Sequence, residues 1–330
     1  MASPPALPPA LVLTAGLGTR LQPLTSVRAK PAAPVAGRAI VLRILDGLAR
    51  AGVTDAVLNL HHRPETITGA VGCGEASGIR VRYSWEPRIL GSAGGPRQAL
   101  PLLGPRLLIV NGDTLADLAA EALAGLVAAH ARSGAAVTLA VMPHPDPARY
   151  GGVVSDHDDR ALAFSRAGGP PSDHFIGVQV AEASVFADLP AGVPAATIGE
   201  VYDRMLLNGG GRPTGAIRTH RVEGRFFDVG TPADYLAASL ALALALDEPA
   251  VAGAGSVVDS SASLTRCAIW DRVTIGPGCR LHECIVADDV SLPDGANLAR
   301  RVVVTSAAAR ASGRHDGQPI GDAVAFPIDA

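Results

Sequence analysis

Short apolar runs alternate with amphipathic segments through the first half of the chain. Five runs predict buried strands: ALVLTAG (10–16), AVLNL (56–60), RVRYS (80–84), RLLIVNGD (106–113) and AAVTLAVM (135–142). Apolar residues at helical spacing predict helices between them, over 40–49, near 92–102 and over 119–133. Strands that alternate with helices of this length predict βαβ units, and therefore an α/β, Rossmann-like domain with a mixed, mostly parallel sheet.

The last quarter of the chain follows a different rule, a repeat of 17 residues. Aliphatic residues recur in three registers: Leu264, Leu281 and Leu298; Ile269, Val286 and Val303; Ile275 and Leu292. Steps of five, six and six residues between them predict three short strands per turn, each with one aliphatic side chain inside a triangular coil. This pattern favours a β-helix of two to three turns, since the third repeat is degenerate; an ordinary stack of hairpins is the alternative.

These two patterns predict the domain organisation. We expect a disordered, proline-rich leader over 1–10 and a catalytic-type α/β domain over 11–247. A short β-helix follows over 252–304, and a tail over 305–330. The boundary falls near 248–255, after a linking helix that begins at TPADYL.

Composition narrows the class of protein. The 330 residues are 48% hydrophobic and 18% charged, which is enough for a sizeable core. A formal charge of −3 leaves no basic surface for nucleic acid. The start, MASPPALPPA, lacks the features of a secretory signal, and the apolar stretch 236–246 is too short to cross a membrane.

The four cysteines form no CxxC pair, and we expect free thiols in a reducing compartment. Cys267 and Cys284 occupy equivalent positions in neighbouring coils, where stacked, buried thiols are expected. A cytoplasmic protein with no nucleic-acid or membrane partner is the resulting expectation.

The loop after the first strand, TAGLGTR, is the first candidate for chemistry. Backbone N–H groups in the glycine-rich turn Gly16–Gly18, followed by Arg20, suit an anion. The third glycine of a dinucleotide fingerprint is absent, and no G-K-[ST] follows as in a Walker loop. A purely structural turn is the alternative.

Three further residues could serve the same ligand. Lys30 precedes Pro31, which favours an extended backbone and a fixed side-chain direction; a surface lysine is the alternative. Asp113 and Asp228 follow apolar runs, where a single aspartate is usually a turn or cap residue. Together with Arg20 and Lys30 they would suit magnesium-assisted transfer of a nucleotidyl group.

In these motifs the chain resembles the sugar-phosphate nucleotidyltransferases, also called NDP-sugar pyrophosphorylases. The resemblance rests on Ala15, Gly16, Gly18, Thr19, Arg20, Pro23, Leu24 and Thr25, then Lys30-Pro31, Gly112-Asp113 and Asp228-Gly230-Thr231, in that order. It implies a C-terminal β-helix that is left-handed. GVTDAVLN, RPE and EP..LGSAG are similar to the mannose-1-phosphate guanylyltransferases.

The resemblance implies a reaction in which a sugar 1-phosphate oxygen attacks the α-phosphorus of an NTP and pyrophosphate leaves. It implies that Asp113 and Asp228 hold Mg²⁺, that Arg20 binds the leaving phosphates, and that Lys30 stabilises the reacting phosphoryl group. Nucleotide contacts are expected from the loop Ala15, Gly16, Gly18, Thr19 and Arg20, and from Glu86, Gly91 and Ser92.

Glu86 stands where thymidylyl and uridylyl relatives commonly carry glutamine. An ionised carboxylate only accepts hydrogen bonds, and guanine presents two donors on one edge. GTP is therefore the favoured nucleotide, with a surface glutamate of no role as the alternative.

The sugar half departs from the family pattern. The usual E-K-P is replaced by Ser165-Arg166, and the usual N-A-G retains only Gly177, while Tyr150-Gly151 is kept. We expect Tyr150, Gly151, Arg166 and Gly177 at the sugar phosphate, with a sugar other than mannose left open.

Three other functions remain as alternatives. They are a uridylyl- or other nucleotidyltransferase, a catalytically silent regulatory subunit that binds a sugar nucleotide, and a hexapeptide acyltransferase. The acyltransferase is disfavoured, because such enzymes need many coils and a catalytic histidine, and these coils contain only His282. The coil is expected to pair subunits in a homo-oligomer.

Overall fold

A computed structural model describes residues 7–207, 214–245 and 252–328 of the chain. The first six residues of the predicted leader lie outside the described residues, and Ala10 already begins the first strand. Residues 246–251, which overlap the predicted boundary region 248–255, also lie outside them.

The elements alternate as the apolar pattern predicts. In the first part of the chain they are β1 (Ala10–Leu13), β2 (Pro34–Val35), β3 (Arg38–Ala39), α1 (Ile40–Arg50), β4 (Asp55–Leu60), α2 (Pro64–Val71), β5 (Arg80–Trp85), α3 (Gly91–Ala99), β6 (Arg106–Asn111), β7 (Thr114–Leu118), α4 (Ala120–Ser133) and β8 (Val137–Met142). Next come β9 (Gly152–Ser155), β10 (Ala161–Ser165), β11 (His174–Glu182), α5 (Ser184–Ala187), α6 (Tyr202–Leu207), β12 (Ile217–Arg221), β13 (Gly224–Asp228) and α7 (Pro232–Ala245).

A seven-stranded sheet forms the centre of the α/β part, in the order β12-β8-β11-β6-β1-β4-β5. Its strands pair in parallel except β11, which runs antiparallel to both β6 and β8. Strand β6 is buried along Leu107–Val110, as expected of a sheet covered on both faces. The prediction of a mixed, mostly parallel sheet is confirmed.

The 17-residue registers predicted from the sequence are confirmed as strand pairs. The coil strands are β14 (Val257–Val258), β15 (Ser263–Thr265), β16 (Ala268–Ile269), β17 (Thr274–Ile275), β18 (Arg280–His282), β19 (Ile285–Val286), β20 (Ser291–Leu292), β21 (Asn297–Ala299) and β22 (Arg301–Thr305). They form three parallel ladders in which Leu281 pairs with Leu264 and Leu298, Val286 pairs with Ile269 and Val303, and Ile275 pairs with Leu292. Each face therefore stacks residues 17 positions apart, while the hand of the coil stays a prediction.

The degenerate end of the repeat adopts elements that the period does not predict. Strand β22 still pairs in parallel with β19, but α8 (Ser306–Ser312) follows, and then β23 (Gln318–Ile320) and β24 (Ala323–Pro327). Strand β24 runs antiparallel to both β22 and β23. An antiparallel hairpin thus covers the edge that a further coil would have extended.

Contacts divide the chain into two compact units. Unit 1 comprises residues 1–16, 44–62 and 71–226, and unit 2 comprises residues 17–43, 63–70 and 227–330. Unit 2 therefore contains the coil together with the segment from Leu17 to Arg43. The domain bounds expected from the sequence cut the chain differently, and they stay a prediction.

The cysteines behave as expected. All four are free, and Cys267, Cys279 and Cys284 are buried while Cys73 is exposed. The thiols of Cys267 and Cys284 each donate to the carbonyl oxygen two residues earlier, at 3.3 Å. Within the described residues, no helix has the length and apolar character needed to cross a membrane.

Candidate active site

The loop after β1 begins with a buried, fully bonded threonine. The Thr14 N–H donates to Asn59 Oδ1 at 2.6 Å, and its hydroxyl donates to the Asn59 carbonyl oxygen. Ala15 is buried, whereas Gly16 is exposed. The two bonds to Asn59 fix the point where the chain leaves the sheet, so the exposed glycine that follows starts from a defined position.

The continuation of this loop, in unit 2, requires glycine at Gly18. Its φ is 62°, and a Cβ there would lie 2.8 Å from Thr25 Cγ2 and 3.2 Å from Lys30 Cβ. The Thr25 hydroxyl donates to the Gly18 carbonyl oxygen at 3.1 Å. The three residues pack together because Gly18 has no side chain, and Thr19 and Arg20 follow, exposed, in a 3₁₀ turn.

Lys30 differs from its sequence-based expectation in two respects. It opens the 3₁₀ turn Lys30–Ala32, so it is not held extended; the extended residue is Ala29 before it, with ψ 145°. Lys30 is also only 5% exposed, which rules out the surface lysine that was the alternative. A buried lysine beside the glycine loop is consistent with the predicted catalytic role.

Arg20 and Asp228 meet at Gly230, all within unit 2. A Cβ on Gly230 would lie 3.0 Å from Asp228 Oδ1 and 3.3 Å from Arg20 Nη1. The Gly230 N–H donates to Asp228 Oδ1 at 2.9 Å. Glycine at this position therefore leaves room for the Arg20 guanidinium and the Asp228 carboxylate. Two of the residues predicted for the site are thus brought together.

A helix begins directly after this position. Thr231 donates from its hydroxyl to Asp234 Oδ2 at 2.8 Å, and the Asp234 N–H donates back to Thr231 Oγ1 at 3.2 Å. This reciprocal cap, with Pro232 as the first residue of α7, fixes the chain two residues beyond Gly230.

Asp113 lies in unit 1, just beyond the carboxyl end of β6. The preceding Gly112 donates its N–H to the Leu13 carbonyl oxygen at 3.0 Å, and a Cβ on Gly112 would lie 2.6 Å from that oxygen. Thr114 donates to Asp113 Oδ1 at 3.2 Å. Asp113 is thereby placed next to the strand from which the glycine loop starts.

The carboxylates are a chemically suitable donor set for Mg²⁺. Among the described residues, no group of three or more histidine, cysteine, aspartate or glutamate side chains could hold a metal ion. Mg²⁺ commonly uses one or two protein carboxylates and takes its remaining ligands from phosphates and water. Asp113 and Asp228 are each a ligand of that type, and their shared role in a magnesium site stays a prediction.

Glu86 is not the surface residue that was the alternative, because it is fully buried. Asn59 Nδ2 donates to its Oε1 at 2.7 Å, and the Leu90 N–H donates to its Oε2 at 2.8 Å. Each carboxylate oxygen thus already accepts a bond from the protein. These contacts give Glu86 a positioning role, and direct base recognition by it stays a prediction.

Asn59 is a site residue that the sequence reasoning missed. It joins Thr14 of the glycine loop to Glu86, which in turn holds Leu90 at the start of α3. The available signal was a single polar residue in the apolar strand AVLNL, where a buried amide needs hydrogen-bond partners.

Gly91 and Ser92 form the start of α3, in its tightly packed first turn. Gly91 has φ 76°, and a Cβ there would lie 2.7 Å from the Ala195 carbonyl oxygen. Ser92 Oγ lies 2.9 Å from Thr197 Oγ1 and accepts from the Thr197 N–H at 2.9 Å. The structure thus assigns both residues a role in holding this turn, and their nucleotide contacts stay a prediction.

Three of the residues predicted for the sugar side lie at two places in unit 1. A Cβ on Gly151 would lie 3.6 Å from Arg166 Cα, and the Arg166 side chain is exposed. Gly177, with φ 75°, lies where the pairing of β11 with β8 shifts register, and a Cβ there would meet Asn111 Nδ2 at 2.6 Å. Gly177 therefore lies beside the residue that begins NGD.

Tyr150 belongs to an aromatic cluster. Its ring centroid lies 5.3 Å from that of His174 and 6.3 Å from that of Phe226, and the latter two are 4.6 Å apart. The cluster holds Tyr150 partly exposed next to Gly151. The Arg149 guanidinium lies over the Tyr150 ring, 5.0 Å from the centroid, and the contact of Tyr150 with a sugar stays a prediction.

Arg28 is a second residue that the sequence reasoning missed. Its Nε and Nη2 donate to the two carboxylate oxygens of Asp288 at 2.6 and 2.8 Å, and Nη2 also donates to Asp271. Burial lowers the pKa of Arg28, but the bonds to these two aspartates outweigh it and raise the pKa. The guanidinium lies 5.6 Å from the ring centroid of Trp270.

These bonds join the segment that carries Lys30 to the coil, within unit 2. A second connection runs beside the first: Trp270 Nε1 donates to the Tyr235 hydroxyl at 2.8 Å, and that hydroxyl donates to the Pro34 carbonyl oxygen. The segment between Arg20 and Pro34 is thus bonded to the coil at two places.

Comparison with known proteins finds similarity to nucleotidyl transferases. Residues 9–166 match the nucleotidyl transferase family. The chain is 31% identical to the mannose-1-phosphate guanylyltransferase of Mycobacterium tuberculosis over 304 residues, which cover 88% of this chain and 83% of that protein. A shorter stretch of 111 residues is 44% identical to the N-acetylmuramate alpha-1-phosphate uridylyltransferase of Neisseria meningitidis, covering 33% of this chain and 48% of that one.

The fold is also found among solved structures. HddC from Yersinia pseudotuberculosis, solved in complex with GMP-PN, matches with a TM-score of 0.60 and 20% identity over 72% of this chain and 100% of its own. At that identity the match supports the architecture of the α/β part.

Proposed function

Because the chain belongs to the sugar-phosphate nucleotidyltransferases, we propose that it transfers a guanylyl group from GTP to a sugar 1-phosphate. The first candidate for the acceptor is mannose 1-phosphate, and the products are a GDP-sugar and pyrophosphate. The observation that carries the proposal is the similarity to a mannose-1-phosphate guanylyltransferase over 88% of the chain. The meeting of Arg20 and Asp228 at Gly230 supports it.

The reaction needs positioning and charge stabilisation and no covalent enzyme intermediate. The sugar 1-phosphate oxygen attacks the α-phosphorus in line, the bond to the bridging oxygen breaks, and pyrophosphate leaves. Arg20 binds the leaving β- and γ-phosphates, while backbone N–H groups of the loop from Gly16 to Gly18 bind the same anion. The Lys30 ammonium stabilises the charge that develops on the reacting phosphoryl group.

Asp113 and Asp228 would hold Mg²⁺, which when bound neutralises charge on the α-phosphate. The donor set supports this assignment, since two carboxylates and the substrate's own phosphates are a common magnesium environment. On the acceptor side, Arg166 replaces the lysine of the family pattern, and its backbone lies next to Gly151. We assign it to the sugar phosphate, with Tyr150 and Gly177 lining the same subsite.

The test combines each of four NTPs with mannose, glucose, galactose or N-acetylglucosamine 1-phosphate. Pyrophosphate release measures the reaction rate of each pair. GTP with mannose 1-phosphate is expected to give the highest kcat/KM. Arg20→Ala and Asp228→Asn should each lower turnover by roughly a hundredfold or more, a loss typical of removed transition-state stabilisation. Arg280→Ala, an exposed arginine on the coil, is the matched control. Near-normal release by either site variant would contradict the assignment.

A uridylyltransferase is the second candidate, favoured by the 44% identity over 111 residues. A clear preference for UTP in the same matrix would establish it. Pyrophosphate release with none of the pairs would instead favour a silent regulatory subunit that binds a sugar nucleotide.

We further propose that the stacked coils form a left-handed β-helix that pairs subunits in a homo-oligomer. The regular ladders support the coil, and the expected result is a molar mass of a dimer or larger by light scattering. The free thiols agree with the cytoplasmic location expected from the sequence.

A further inference from the structure

A cavity of about 390 Å³ lies in unit 1, beside the edge strand β12 and the last turn of α4. Eight residues line it: Ala129, Arg132, Ser133, Thr138, Asp159, Arg218, Thr219 and His220. None of them belongs to the candidate active site. Its size is within the range of small-molecule pockets, roughly 300–1,000 Å³.

The Arg218 side chain lines this cavity and carries a buried donor without a hydrogen-bond partner among the described residues. Its Nη1 donates to the Asp158 carbonyl oxygen at 2.9 Å, which fixes the guanidinium. Its Nε is buried and has no hydrogen-bond partner among the described residues. A buried N–H without an acceptor destabilises the folded state, so the position of this guanidinium calls for an explanation.

Two other basic side chains share the cavity. Among the described residues, Arg132 and His220 make no hydrogen bond or ion pair, and Arg132 is exposed. Burial lowers the pKa of His220. The negative charge of Asp159 raises it by less, and the positive charge of Arg132 lowers it further. The imidazole is therefore neutral near pH 7 and offers one donor and one acceptor.

The cavity also has a negative side, which narrows the chemical class of the ligand. Asp159 lines it with a carboxylate that accepts no hydrogen bond from the described part of the chain. Helix α4 ends at Ser133, so the negative end of its dipole borders the same space. Two guanidiniums favour an anionic group, while these features favour hydroxyl groups that donate hydrogen bonds.

We propose that the cavity binds a small phosphomonoester that also carries hydroxyl groups, such as a sugar phosphate. The phosphate binds to the guanidinium groups of Arg132 and Arg218. The hydroxyl groups donate to Asp159 and exchange hydrogen bonds with His220. This site rests on residues other than those of the proposed reaction, so its test stands apart from the substrate matrix.

Calorimetric titration with glucose 6-phosphate, inorganic phosphate and glucose tests the proposal. The measurement uses the full chain and, in parallel, the Arg20→Ala variant, whose phosphate-binding loop is impaired. Glucose 6-phosphate is expected to bind both proteins with equal affinity. Inorganic phosphate should bind more weakly, and glucose should show no measurable binding.

The deciding variant is Arg132→Ala, because Arg132 is exposed and its removal breaks no bond within the described residues. Loss of a charge-assisted contact should weaken glucose 6-phosphate binding by roughly tenfold or more. Arg280→Ala, an exposed arginine on the coil, should leave the affinity unchanged. Asp159→Asn should weaken glucose 6-phosphate and leave inorganic phosphate unaffected.

Three results would overturn the proposal. They are no binding of glucose 6-phosphate to the full chain, equal binding by Arg132→Ala, or loss of binding in Arg20→Ala, which would locate the contact in the loop after β1. Inorganic phosphate binding as tightly as glucose 6-phosphate would refute the part assigned to the hydroxyl groups.

Discussion

Replacing Glu86 with glutamine changes one terminal oxygen of a fully buried carboxylate into an NH₂ group. Both Glu86 oxygens accept bonds from N–H donors, Asn59 Nδ2 at 2.7 Å and the Leu90 N–H at 2.8 Å. The glutamine amide has only one oxygen. Whichever way it turns, one of the two donors then faces another donor.

The magnitude follows from that mismatch. A hydrogen bond to a charged group contributes about 1.5–3 kcal/mol, and a buried donor left without a partner costs about 1–3 kcal/mol. The two terms overlap, and a neutral amide is easier to bury than a carboxylate. We therefore expect Glu86→Gln to lower the free energy of unfolding by about 2 kcal/mol.

The effect on nucleotide use separates positioning from base recognition. If Glu86 acts by joining Asn59 to Leu90, kcat/KM should fall by a similar factor, roughly tenfold, for all four NTPs. Urea unfolding and steady-state pyrophosphate release measure the two quantities. Glu223→Gln, at an exposed glutamate, is the control and should change neither.

A different result would refute this reasoning. If Glu86→Gln kept its stability and lost GTP activity while UTP activity rose, the carboxylate would read the base edge directly. The same outcome would support the sequence-based prediction that a glutamate at this position selects guanine.

Three further predictions concern stability and are measured by urea unfolding. Arg28→Ala should lower the free energy of unfolding by about 3 kcal/mol, because the 3.9 Å contact with Arg272 is then the only ion pair left to the buried Asp288 carboxylate among the described residues. Arg28→Lys should recover part of that loss. Gly95→Ala should lower the free energy of unfolding by about 1–3 kcal/mol, since the new Cβ would lie 2.9 Å from both Asn59 Nδ2 and Glu86 Oε1. The matched variant Gly69→Ala, in a helix where a Cβ has open space, should raise it by about 0.5–1 kcal/mol. Burial lowers the pKa of His130 below 6.5, so the unfolded state binds more protons than the folded state as the pH falls. The free energy of unfolding should therefore decrease from pH 7 to pH 5.5, and this decrease should be smaller in His130→Gln.

The parts of the fold that follow from periodicity could be predicted. The 17-residue spacing placed Leu264, Leu281 and Leu298 in one register because a coil with a constant turn length can stack equivalent residues in only one way. In the α/β part, apolar runs predicted the strands, and Asp113 could be placed because it closes one of these runs, two residues beyond the end of β6.

The contacts between distant segments could not be predicted in the same way. Arg28 and Asp288 are 260 positions apart, and nothing in the local pattern of either indicates a partner. The same holds for Asn59 and Glu86, whose bond depends on the way two neighbouring strands end. Lys30 shows a third limit, since the preference set by Pro31 gave way to a 3₁₀ turn in which Lys30 packs against Gly18.

The bonds of Arg28 also bear on how the chain could be cut or recombined. A truncation after residue 247, where the sequence suggests that the α/β domain ends, would keep Lys30 but delete Asp271 and Asp288. Arg28 would then lose both of its counter-charges, two residues from the lysine that we propose acts on the reacting phosphoryl group. The coil is therefore not a module that can be removed or exchanged between relatives at will, and a chimera must carry the arginine and its aspartates as a set.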